Sequence, residues 1–355
     1  MFGLKANLPT LFELQWTGQL SDYVTDLAWS NGDYLAASSG AGEVLLWNLK
    51  TEENSLILSP QETSIDCLEF SHDGQFLAAA GQEGKVSIWK ITPHIELINP
   101  WGKQGQWIDH LAWHPTKHQL AFSLGRYVQI VDVLAEKIIT TLPFETSSVL
   151  GMSWHPSGEN LAVAGNGGVK IWNANQWEDD PILVEMAAAC TAIAWSKDGD
   201  YLAASCLDNT VLVWRWQEEI PWRMTGFGGK IRHVTWSNIK SGIAPLLAVA
   251  CLEEIVIWKK EENDEDGWLS WGLIGHEDMI TDSRFQPNSL LLGSVGEDGQ
   301  LLLWQKAKQL SQRSQETSEG FSKLEWHPSG QKLVIGGQKG VLFLLAKSYR
   351  GRGFG

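Results

Sequence analysis

The sequence lacks the features that would let the chain cross a membrane or bind a polyanion. Nowhere in its 355 residues do 18 consecutive apolar residues occur, which argues against a membrane-spanning helix. The N-terminus has no apolar core of the kind that a secretory signal peptide needs. Basic residues number 27 against 42 acidic ones, a formal net charge of −15, and a field of that sign repels nucleic acid. We therefore expect a cytoplasmic, monomeric protein with no membrane or nucleic-acid partner.

Cysteine is scarce, and motifs that would indicate catalysis are missing. The four cysteines, Cys67, Cys190, Cys206 and Cys251, lack CxxC spacing and lie in apolar segments, so we predict buried, reduced thiols. The sequence contains no GxxxxGK[ST], no HExxH, no GxSxG in a strand–turn–helix context and no EF-hand loop. We therefore predict a protein that is not an enzyme and uses no cofactor.

A repeat is what the sequence has instead. The phrase WHPSG occurs at Trp154–Gly158 and again at Trp326–Gly330. Eight short apolar runs end in an aromatic residue, at steps of 41, 43, 41, 41, 41, 49 and 41 residues. A period near 41 is typical of propeller blades rather than of helical arrays. The eight aromatic residues are Trp29, Phe70, Trp113, Trp154, Trp195, Trp236, Phe285 and Trp326.

Each copy of the repeat has the pattern of a small antiparallel sheet. After the aromatic residue come a polar turn, a strand of small residues, a second turn, a third strand that mostly ends in Trp, and a weaker fourth strand. Short strands separated by Gly, Asp and Asn predict an all-β fold of four-stranded sheets. One such sheet cannot bury both faces, whereas eight packed around an axis can. We predict an eight-bladed β-propeller, with seven blades and an aberrant repeat as the alternative.

The ends of the repeat array indicate how the ring closes. The segment LFELQWTG (Leu11–Gly18) stands where a fourth strand would lie, and the eighth copy has almost nothing after Leu345. We expect the N-terminal strand to complete the last blade, which would leave no open sheet edge. The predicted organisation is an N-terminal lead over residues 1–10, one propeller over 11–346 and a short basic Gly/Arg tail over 347–355.

These repeats resemble the WD40-repeat family over nearly the whole chain. The Gly-His…Trp-Asp signature of that family is degenerate here, and only the seventh copy has a Gly-His pair before its first strand. The resemblance implies that His276, Asp298 and Trp304 belong to a structural hydrogen-bond network, with Ser294 or Gly296 near the hydroxyl position. It also implies a non-catalytic scaffold that binds partner proteins or peptides through its loops.

A metal-handling protein that binds or delivers zinc is the alternative function. Cys206 and Cys251 end the second strands of adjacent blades, but two thiols alone make a poor zinc site. Several histidines occupy one repeat-equivalent position and are therefore spread around a ring, too far apart to reach the about 2.0–2.3 Å that zinc requires. We predict that they open turns and that no metal ligand set exists. These histidines are His114, His155, His327 and, shifted by one position, His72.

Long acidic loops join the third and fourth strands in three consecutive copies, the fourth to the sixth. In an antiparallel meander such loops share one face with the first-to-second loops, including the long loop Asn238–Pro245. A run of charge is usually only a solvated face. Trp, however, is common at binding hot spots. The alternative hypothesis is therefore that these loops form a docking surface for a basic partner. Its residues are Trp177, Glu178, Asp179, Asp180, Trp216, Glu218, Glu219, Trp222, Glu261, Glu262, Asp264, Glu265, Asp266 and Trp268.

The opposite face, at the mouth of the axial channel, is an equal candidate. WD40-like rings often bind peptides there, and aromatic and cationic residues together suit an acidic peptide. A catalytic propeller would need a convergent set of titratable groups at the axis, and the sequence gives no sign of one. The candidate residues at the channel mouth are Trp101, Trp107, Arg126, Phe227, Lys230 and Arg232.

Overall fold

The chain is described by a computed structural model over residues 10–91, 94–145, 147–218, 220–315 and 317–348. Its 32 strands form eight four-stranded antiparallel sheets. The predicted all-β propeller of eight blades is confirmed, and the seven-blade alternative is wrong. The one helical segment in the described residues is a 3-10 turn at Asp264–Asp266. Among those residues, no helix is long and apolar enough to span a bilayer. Most of the predicted lead and tail lies outside the described ranges.

The first four blades follow one another directly along the chain. The N-terminal strand, β1 (Phe12–Gln19), precedes them and belongs to the last blade. The strands of blades one to four are β2 (Val24–Trp29), β3 (Tyr34–Ser39), β4 (Val44–Asn48) and β5 (Glu53–Leu58); β6 (Ile65–Phe70), β7 (Phe76–Gly81), β8 (Lys85–Lys90) and β9 (Glu96–Gly102); β10 (Leu111–Trp113), β11 (Gln119–Leu124), β12 (Tyr127–Asp132) and β13 (Lys137–Pro143); β14 (Val149–Trp154), β15 (Asn160–Gly165), β16 (Gly168–Asn173) and β17 (Ile182–Glu185).

The last four blades repeat this order, and blade eight borrows β1 as its fourth strand. The first strand of every blade contacts the first strand of each neighbouring blade, so these strands form the innermost ring. The strands of blades five to eight are β18 (Cys190–Trp195), β19 (Tyr201–Cys206), β20 (Thr210–Arg215) and β21 (Trp222–Met224); β22 (Ile231–Lys240), β23 (Pro245–Cys251), β24 (Glu254–Lys260) and β25 (Trp268–Ile274); β26 (Ile280–Phe285), β27 (Leu292–Gly296), β28 (Gln300–Gln305) and β29 (Gln309–Gln315); β30 (Phe321–Trp326), β31 (Lys332–Gly337) and β32 (Val341–Lys347).

The hydrophobic core lies between the blades rather than within them. A typical cluster contains Ala121 and Ile130 of blade three together with Trp154 and Leu161 of blade four. Small residues fill the second strands because neighbouring sheets approach each other closely near the axis, and every residue of β7 is buried. The repeated aromatic residue joins one blade to the preceding one, since the Trp154 indole N–H donates to the Ala112 carbonyl at 2.9 Å. This packing explains much of the Trp content without a ligand.

The histidine of WHPSG makes a bond that the sequence did not reveal. His155 Nδ1 accepts from the Ser157 amide at 3.1 Å, so its Nε2–H donates to the Gly199 carbonyl of the next blade, 3.1 Å away. His114 reaches Gly158 in the same way at 3.0 Å. His327 spans blades eight and one at 3.1 Å from the Gly32 carbonyl. The predicted turn-opening histidines therefore also link successive blades.

The ring closes through β1, as predicted. This strand pairs antiparallel with β32 from Phe12 opposite Lys347 to Gln19 opposite Val341. Gln312 of the neighbouring blade holds its start, because its Oε1 accepts from the Leu11 and Phe12 amides at 2.7 and 2.9 Å. The same side chain donates to the Phe12 carbonyl at 2.8 Å. Blade eight is thus built from both ends of the described chain, which locks the ring.

Candidate interaction surfaces

The seventh blade contains the hydrogen-bond network that the sequence resemblance implied. His276 Nδ1 lies 3.0 Å from Asp298 Oδ2, and its Nε2 lies 2.8 Å from the Ser294 hydroxyl. The Trp304 indole donates to the same hydroxyl at 3.0 Å. Ser294, rather than Gly296, therefore supplies the hydroxyl. All four residues belong to blade seven, so this network is part of the frame that positions the loops.

The acidic loops of blades four, five and six lie on one face, together with the loop between β22 and β23. Lys240, the last residue of β22 before that loop, reaches Asp198 and Asp200 of blade five at 3.2 and 2.9 Å, which fixes the loop beside the neighbouring turn. Within the described chain, no ion pair engages Glu178, Asp179 or Asp180, and all three are exposed. We call the following residues the acidic sector: Glu178, Asp179, Asp180, Glu218, Glu261, Glu262, Glu265 and Asp266.

Two members of the predicted surface cannot be placed. Glu219 and the side chain of Asp264 lie outside the described residues. The neighbouring loop is anchored by Lys260, whose ammonium donates to the Glu261 carbonyl at 3.2 Å and lies 5.3 Å from the Trp222 ring centroid. Lys260 is almost completely buried, so the acidic loop of blade six rests on an internal cation.

The tryptophans of this surface are partly buried and pack between blades. Trp177 meets Trp154 edge-to-face with ring centroids 5.9 Å apart, and Trp216 meets Trp195 at 4.9 Å. Trp222 and Trp268 contact each other at 5.9 Å. These side chains were predicted as hot spots because Trp is costly to expose. The loops fold the indoles over the blade junctions and so shield them from water. The tryptophans therefore have a structural role.

Exposed aliphatic side chains accompany the carboxylates, and the sequence reasoning missed them. Ile220, between the acidic residues and Pro221, is 79% exposed. Ile239 is exposed at the end of β22, Ile243 is exposed in the loop that follows, and Leu269 is exposed where β25 begins. The sequence did contain a sign of these exposed side chains, because they are apolar residues inside otherwise polar loops. The face thus offers negative charge and apolar contact area together.

The channel mouth receives only part of its predicted set. Trp107 is 55% exposed and donates to Asp66 Oδ2 at 2.7 Å, and Arg232 is exposed near the start of β22. Trp101 instead lies on β9, at the outer edge of its blade, and is partly buried there. Phe227 is also partly buried and packs 6.3 Å from the Trp258 ring. The predicted cluster at the mouth is therefore not brought together as a unit.

The remaining cations of that set are exposed, but the mouth also carries acidic residues. Arg126 lies in the turn between β11 and β12, where its guanidinium donates to the Glu145 carbonyl at 3.4 Å, and Lys230 is exposed just before β22. Asp66 and Asp109 stand at the positions in blades two and three that Arg232 takes in blade six. The mouth has mixed charge, which weakens the expected fit to an acidic peptide.

The inside of the ring contradicts one expectation from the sequence. Titratable side chains do converge on the axis, from the first strands of blades six, seven, eight and one. The Arg284 guanidinium Nε lies 3.0 Å from Glu325 Oε2 and 3.5 Å from Asp282 Oδ2. His233 Nε2 of blade six lies 3.5 Å from Asp282 Oδ1, and Lys323 Nζ of blade eight lies 3.5 Å from Asp26 Oδ1 of blade one. The sequence concealed this cluster because each strand contributes only one or two charges.

The described contacts of the axial cluster connect neighbouring blades. Asp26 Oδ2 accepts from the Leu68 amide of blade two at 2.9 Å, and Glu69 Oε2 accepts from the Trp113 amide of blade three at 2.9 Å. Burial raises the pKa of Glu69 to about 8, and the Asp26 charge adds to the shift. Burial also raises the pKa of Glu325 to about 7, against the effect of Arg284. These contacts give the cluster a structural role.

The structure separates the cysteines and histidines that were considered for zinc. Cys206 lies against Cys190, with the sulfurs 2.8 Å apart, whereas the Cys251 thiol donates to the Gly229 carbonyl. The repeat-equivalent histidines each bond to a different blade, as the ring geometry predicted. All four cysteines are free and buried.

Comparison with protein families identifies the repeat. A family model described as WD domain, G-beta repeat (WD40) matches residues 53–90, 136–173, 185–215 and 267–305. Three of these matches begin at or just before the fourth strand of one blade, and all four end with the third strand of the next. The chain is an eight-bladed propeller that contains WD40 repeats. Each WD40 repeat is therefore offset from the structural blade by one strand, which explains why β1 must complete blade eight. WD40 propellers are in general not enzymes.

Several proteins with WD repeats are similar to this WD40 propeller. It is 24% identical over 295 residues to the WD repeat-containing protein slp1 of Schizosaccharomyces pombe, across 81% of this chain and 59% of that protein. It is 22% identical over 313 residues to the anaphase-promoting complex subunit cdc20 of Dictyostelium discoideum, across 84% and 61%. The ribosome biogenesis protein ERB1 of Phaeosphaeria nodorum is 27% identical over 158 residues, across 41% and 20%. The chain spans about three fifths or less of these relatives.

Proposed function

We propose that this WD40 propeller is a non-catalytic scaffold that holds a basic partner protein against the acidic sector. One observation carries the proposal: exposed carboxylates and exposed aliphatic side chains share the loops of three adjacent blades on one face. Complementary charge speeds association and excludes wrong partners, and apolar contacts at the centre of an interface supply most of the affinity. The acidic sector offers both.

The frame beneath the sector favours this role. The partly buried indoles of Trp177 and Trp268 lie on core clusters between neighbouring blades, and Lys260 anchors the loop of blade six. Loops held in this way lose little conformational freedom on binding, so more of the contact energy appears as affinity. We therefore assign the tryptophans a supporting role under the interface and assign the contact itself to the carboxylates and to Ile220.

The relatives support the class of function and leave the pathway open. One is named as a subunit of the anaphase-promoting complex and another as a ribosome biogenesis protein. Both names describe proteins that work with other macromolecules, in unrelated processes. We carry over only the general role of binding partner proteins. We also propose that this scaffold is a cytoplasmic monomer, in keeping with its four free, buried cysteines.

A charge-reversal experiment tests the proposal. The sector variant combines Glu178→Lys, Asp179→Lys and Asp180→Lys; the control variant combines Asp33→Lys, Glu52→Lys and Glu53→Lys, exposed residues of blade one on the same face. Both variants change the net charge equally. Tagged full-length proteins are used for affinity purification from native extract at low and moderate salt, with quantitative mass spectrometry.

The wild type and the control variant should retain a basic protein in near-equal amount, and the sector variant should lose it. Raising the salt concentration should weaken the wild-type interaction, because exposed charges are screened. A partner retained equally by the sector variant would overturn the proposal. A partner retained by the sector variant but lost on Trp107→Ala would move the binding site to the channel mouth.

A further inference from the structure

Two histidines and an aspartate from adjacent blades converge at a place that the proposed function does not use. His72 and Asp73 lie in the turn between β6 and β7, and His118 stands just before β11. His118 Nε2 is 2.8 Å from Asp73 Oδ2. One ligand atom from each of the three residues lies within 4.8 Å of the other two. All three therefore face one small volume across the junction of blades two and three.

The aspartate is oriented by its own turn. Asp73 Oδ1 accepts hydrogen bonds from the Ser71 hydroxyl at 2.7 Å and from the Gln75 amide at 3.1 Å. These two bonds occupy one carboxylate oxygen and leave Oδ2 directed at the neighbouring blade. Partners of this kind, which hold a ligand from behind, are typical of metal sites.

The two imidazoles are also held in place. The His118 ring packs edge-to-face on Phe76, with ring centroids 5.2 Å apart, and Phe76 is buried. The His72 ring lies 5.1 Å from the His118 ring. The Nδ1 of His72 is buried and has no hydrogen-bond partner among the described residues. A buried, unpartnered imidazole nitrogen carries an energetic cost that a bound ligand would remove.

Blade five has the same turn without the histidines and serves as an internal comparison. There the Ser196 hydroxyl donates to Asp198 Oδ1 at 2.6 Å, and Asp198 Oδ2 pairs with Lys240 of blade six at 3.2 Å. Lys197 stands in the place of His72. A lysine is therefore sufficient to link the turn to the next blade. The two imidazoles at the corresponding places in blades two and three are therefore not needed to connect the blades. They add side chains that can bind a metal ion.

We propose that His72, Asp73 and His118 form a binding site for a divalent transition-metal ion of the zinc type. Two imidazole nitrogens and a carboxylate oxygen are a preferred donor set for zinc, at about 2.0–2.2 Å. Ligand atoms around a tetrahedral ion lie roughly 3.4 Å apart, so the three side chains close by about 1 Å on binding. Three protein ligands leave the fourth position for water or a partner's side chain. The proposal is independent of the acidic sector.

The test is calorimetric titration of zinc into the full chain after treatment with a chelator. The wild type should bind one zinc ion per chain at this site. His118→Lys removes a ligand yet can keep an ion pair with Asp73, as Lys240 does with Asp198, so the metal-free protein should retain its melting temperature. Zinc affinity should fall at least tenfold. His94→Lys, at an exposed histidine outside the cluster, should bind like the wild type.

A second variant keeps the test decisive if His118→Lys folds poorly. His72→Lys leaves the bond between His118 and Asp73 untouched, and it should also weaken zinc binding at least tenfold. Zinc should raise the melting temperature of the wild type and of His94→Lys, because a ligand that binds only the folded state stabilises it. If both cluster variants bind zinc as tightly as the wild type, or if the wild type binds none, the proposal is wrong.

Discussion

At the scale of single residues, the repeated WHPSG phrase makes one pair of contacts between blades. Gly158 has a φ of +78°, and a Cβ placed on it would lie 2.3 Å from the His114 ring. The histidine that donates to the glycine carbonyl therefore occupies the space that a side chain would need. Glycine is required here for two reasons, its backbone conformation and this close approach.

Gly158→Ala should lower the free energy of unfolding by about 2–4 kcal/mol, from backbone strain and the clash with His114 together. Gly105→Ala is the matched control, because Gly105 has a φ of +79° and no atom lies within 4 Å of its would-be Cβ. The control should lose only about 1 kcal/mol. Urea denaturation monitored by Trp fluorescence gives both values. Equal losses would show that the His114 contact has no energetic effect.

His114 should make stability depend on pH. Burial lowers its pKa to about 4, and the Lys117 charge adds to this. The unfolded chain takes up this proton near pH 6.5, so lowering the pH from 6.5 towards 4 favours unfolding. His114→Gln can keep the bond to Gly158, as Gln286 does with Gly330 at 2.6 Å, and it cannot titrate. Its urea midpoint should fall less steeply over this window than that of the wild type, and parallel slopes would refute the assignment.

The sequence predicted the turns but not these bonds. Gly158 and Pro156 mark a turn through local chemistry, which a sequence displays directly. The His114 bond joins residues 44 positions apart, and it exists only because the ring brings two turns of successive blades into contact. The same reason hid the cluster of His72 with His118. His72 was assigned to a ring of histidines too wide to share a ligand, and His118 was not among the candidates.

At the scale of strands, the closure of the ring depends on a residue that the sequence does not highlight. Gln312 is buried in β29 and makes three hydrogen bonds to the start of β1. The closure itself was predictable from the missing fourth strand of the last copy. The clamp was not, because an isolated glutamine in a polar strand has the pattern of a solvent-facing residue.

Gln312→Ala should cost about 2–4 kcal/mol of unfolding free energy, since it leaves buried backbone groups of β1 without partners. Hydrogen exchange should speed up first in β1, where the lost bonds were. Gln315→Ala, at the exposed end of the same strand, is the control and should change stability by less than about 0.5 kcal/mol. Unchanged exchange in β1 of the Gln312 variant would mean that pairing with β32 alone holds the strand.

The innermost strands carry a partly buried acid, Glu69, that should respond to pH in the opposite direction from His114. The folded protein keeps Glu69 protonated up to about pH 8, whereas the unfolded chain loses that proton near pH 4.5. Stability contributed by the protonated form is therefore lost as the pH rises from 4.5 through 8. Stability depends on pH in this way because Glu69 lies inside the ring and, among the described contacts, no cation is paired with its carboxylate.

Glu69→Gln keeps an acceptor for the Trp113 amide and removes the charge. It should stabilise the protein by roughly 1–3 kcal/mol at pH 8 and by much less at pH 5. Glu96→Gln, at an exposed position on β9, should have no such effect. Urea midpoints at the two pH values measure the difference. A Glu69 variant that gains nothing at pH 8 would show that water in the channel solvates the carboxylate.

At the scale of the whole molecule, the period of the sequence determines the fold, and the surface follows from contacts that the period does not encode. The number of blades, the strand order and the closure could all be predicted, because a repeat near 41 residues with four strand patterns has few solutions. The burial of the Trp177 and Trp216 side chains could not be predicted. Both side chains are partly buried on core clusters that lie between two blades, an arrangement that exists only in the assembled ring.

The same distinction applies to charge. The axial ion pairs around Arg284 and the acidic sector are both built from charged residues, yet the first group is enclosed by the ring and the second lies mostly exposed on the loops. Sequence alone assigned the sector correctly to one face, because loop order fixes the face. It overlooked Ile220 and Ile239, since a single apolar residue in a polar loop resembles a local packing contact.

The central claim is that a partner protein contacts the acidic sector, and site-specific photo-crosslinking tests it most directly. A benzoylphenylalanine replaces Ile220 in one full-length protein and Leu134 in another; Leu134 is 65% exposed in a loop of blade three on the same face, outside the sector. Irradiation in native extract should crosslink the Ile220 protein to a basic partner, less at higher salt, and leave the Leu134 protein largely uncrosslinked. Equal crosslinking at both positions, or a co-purifying partner that never crosslinks to Ile220, would contradict the account.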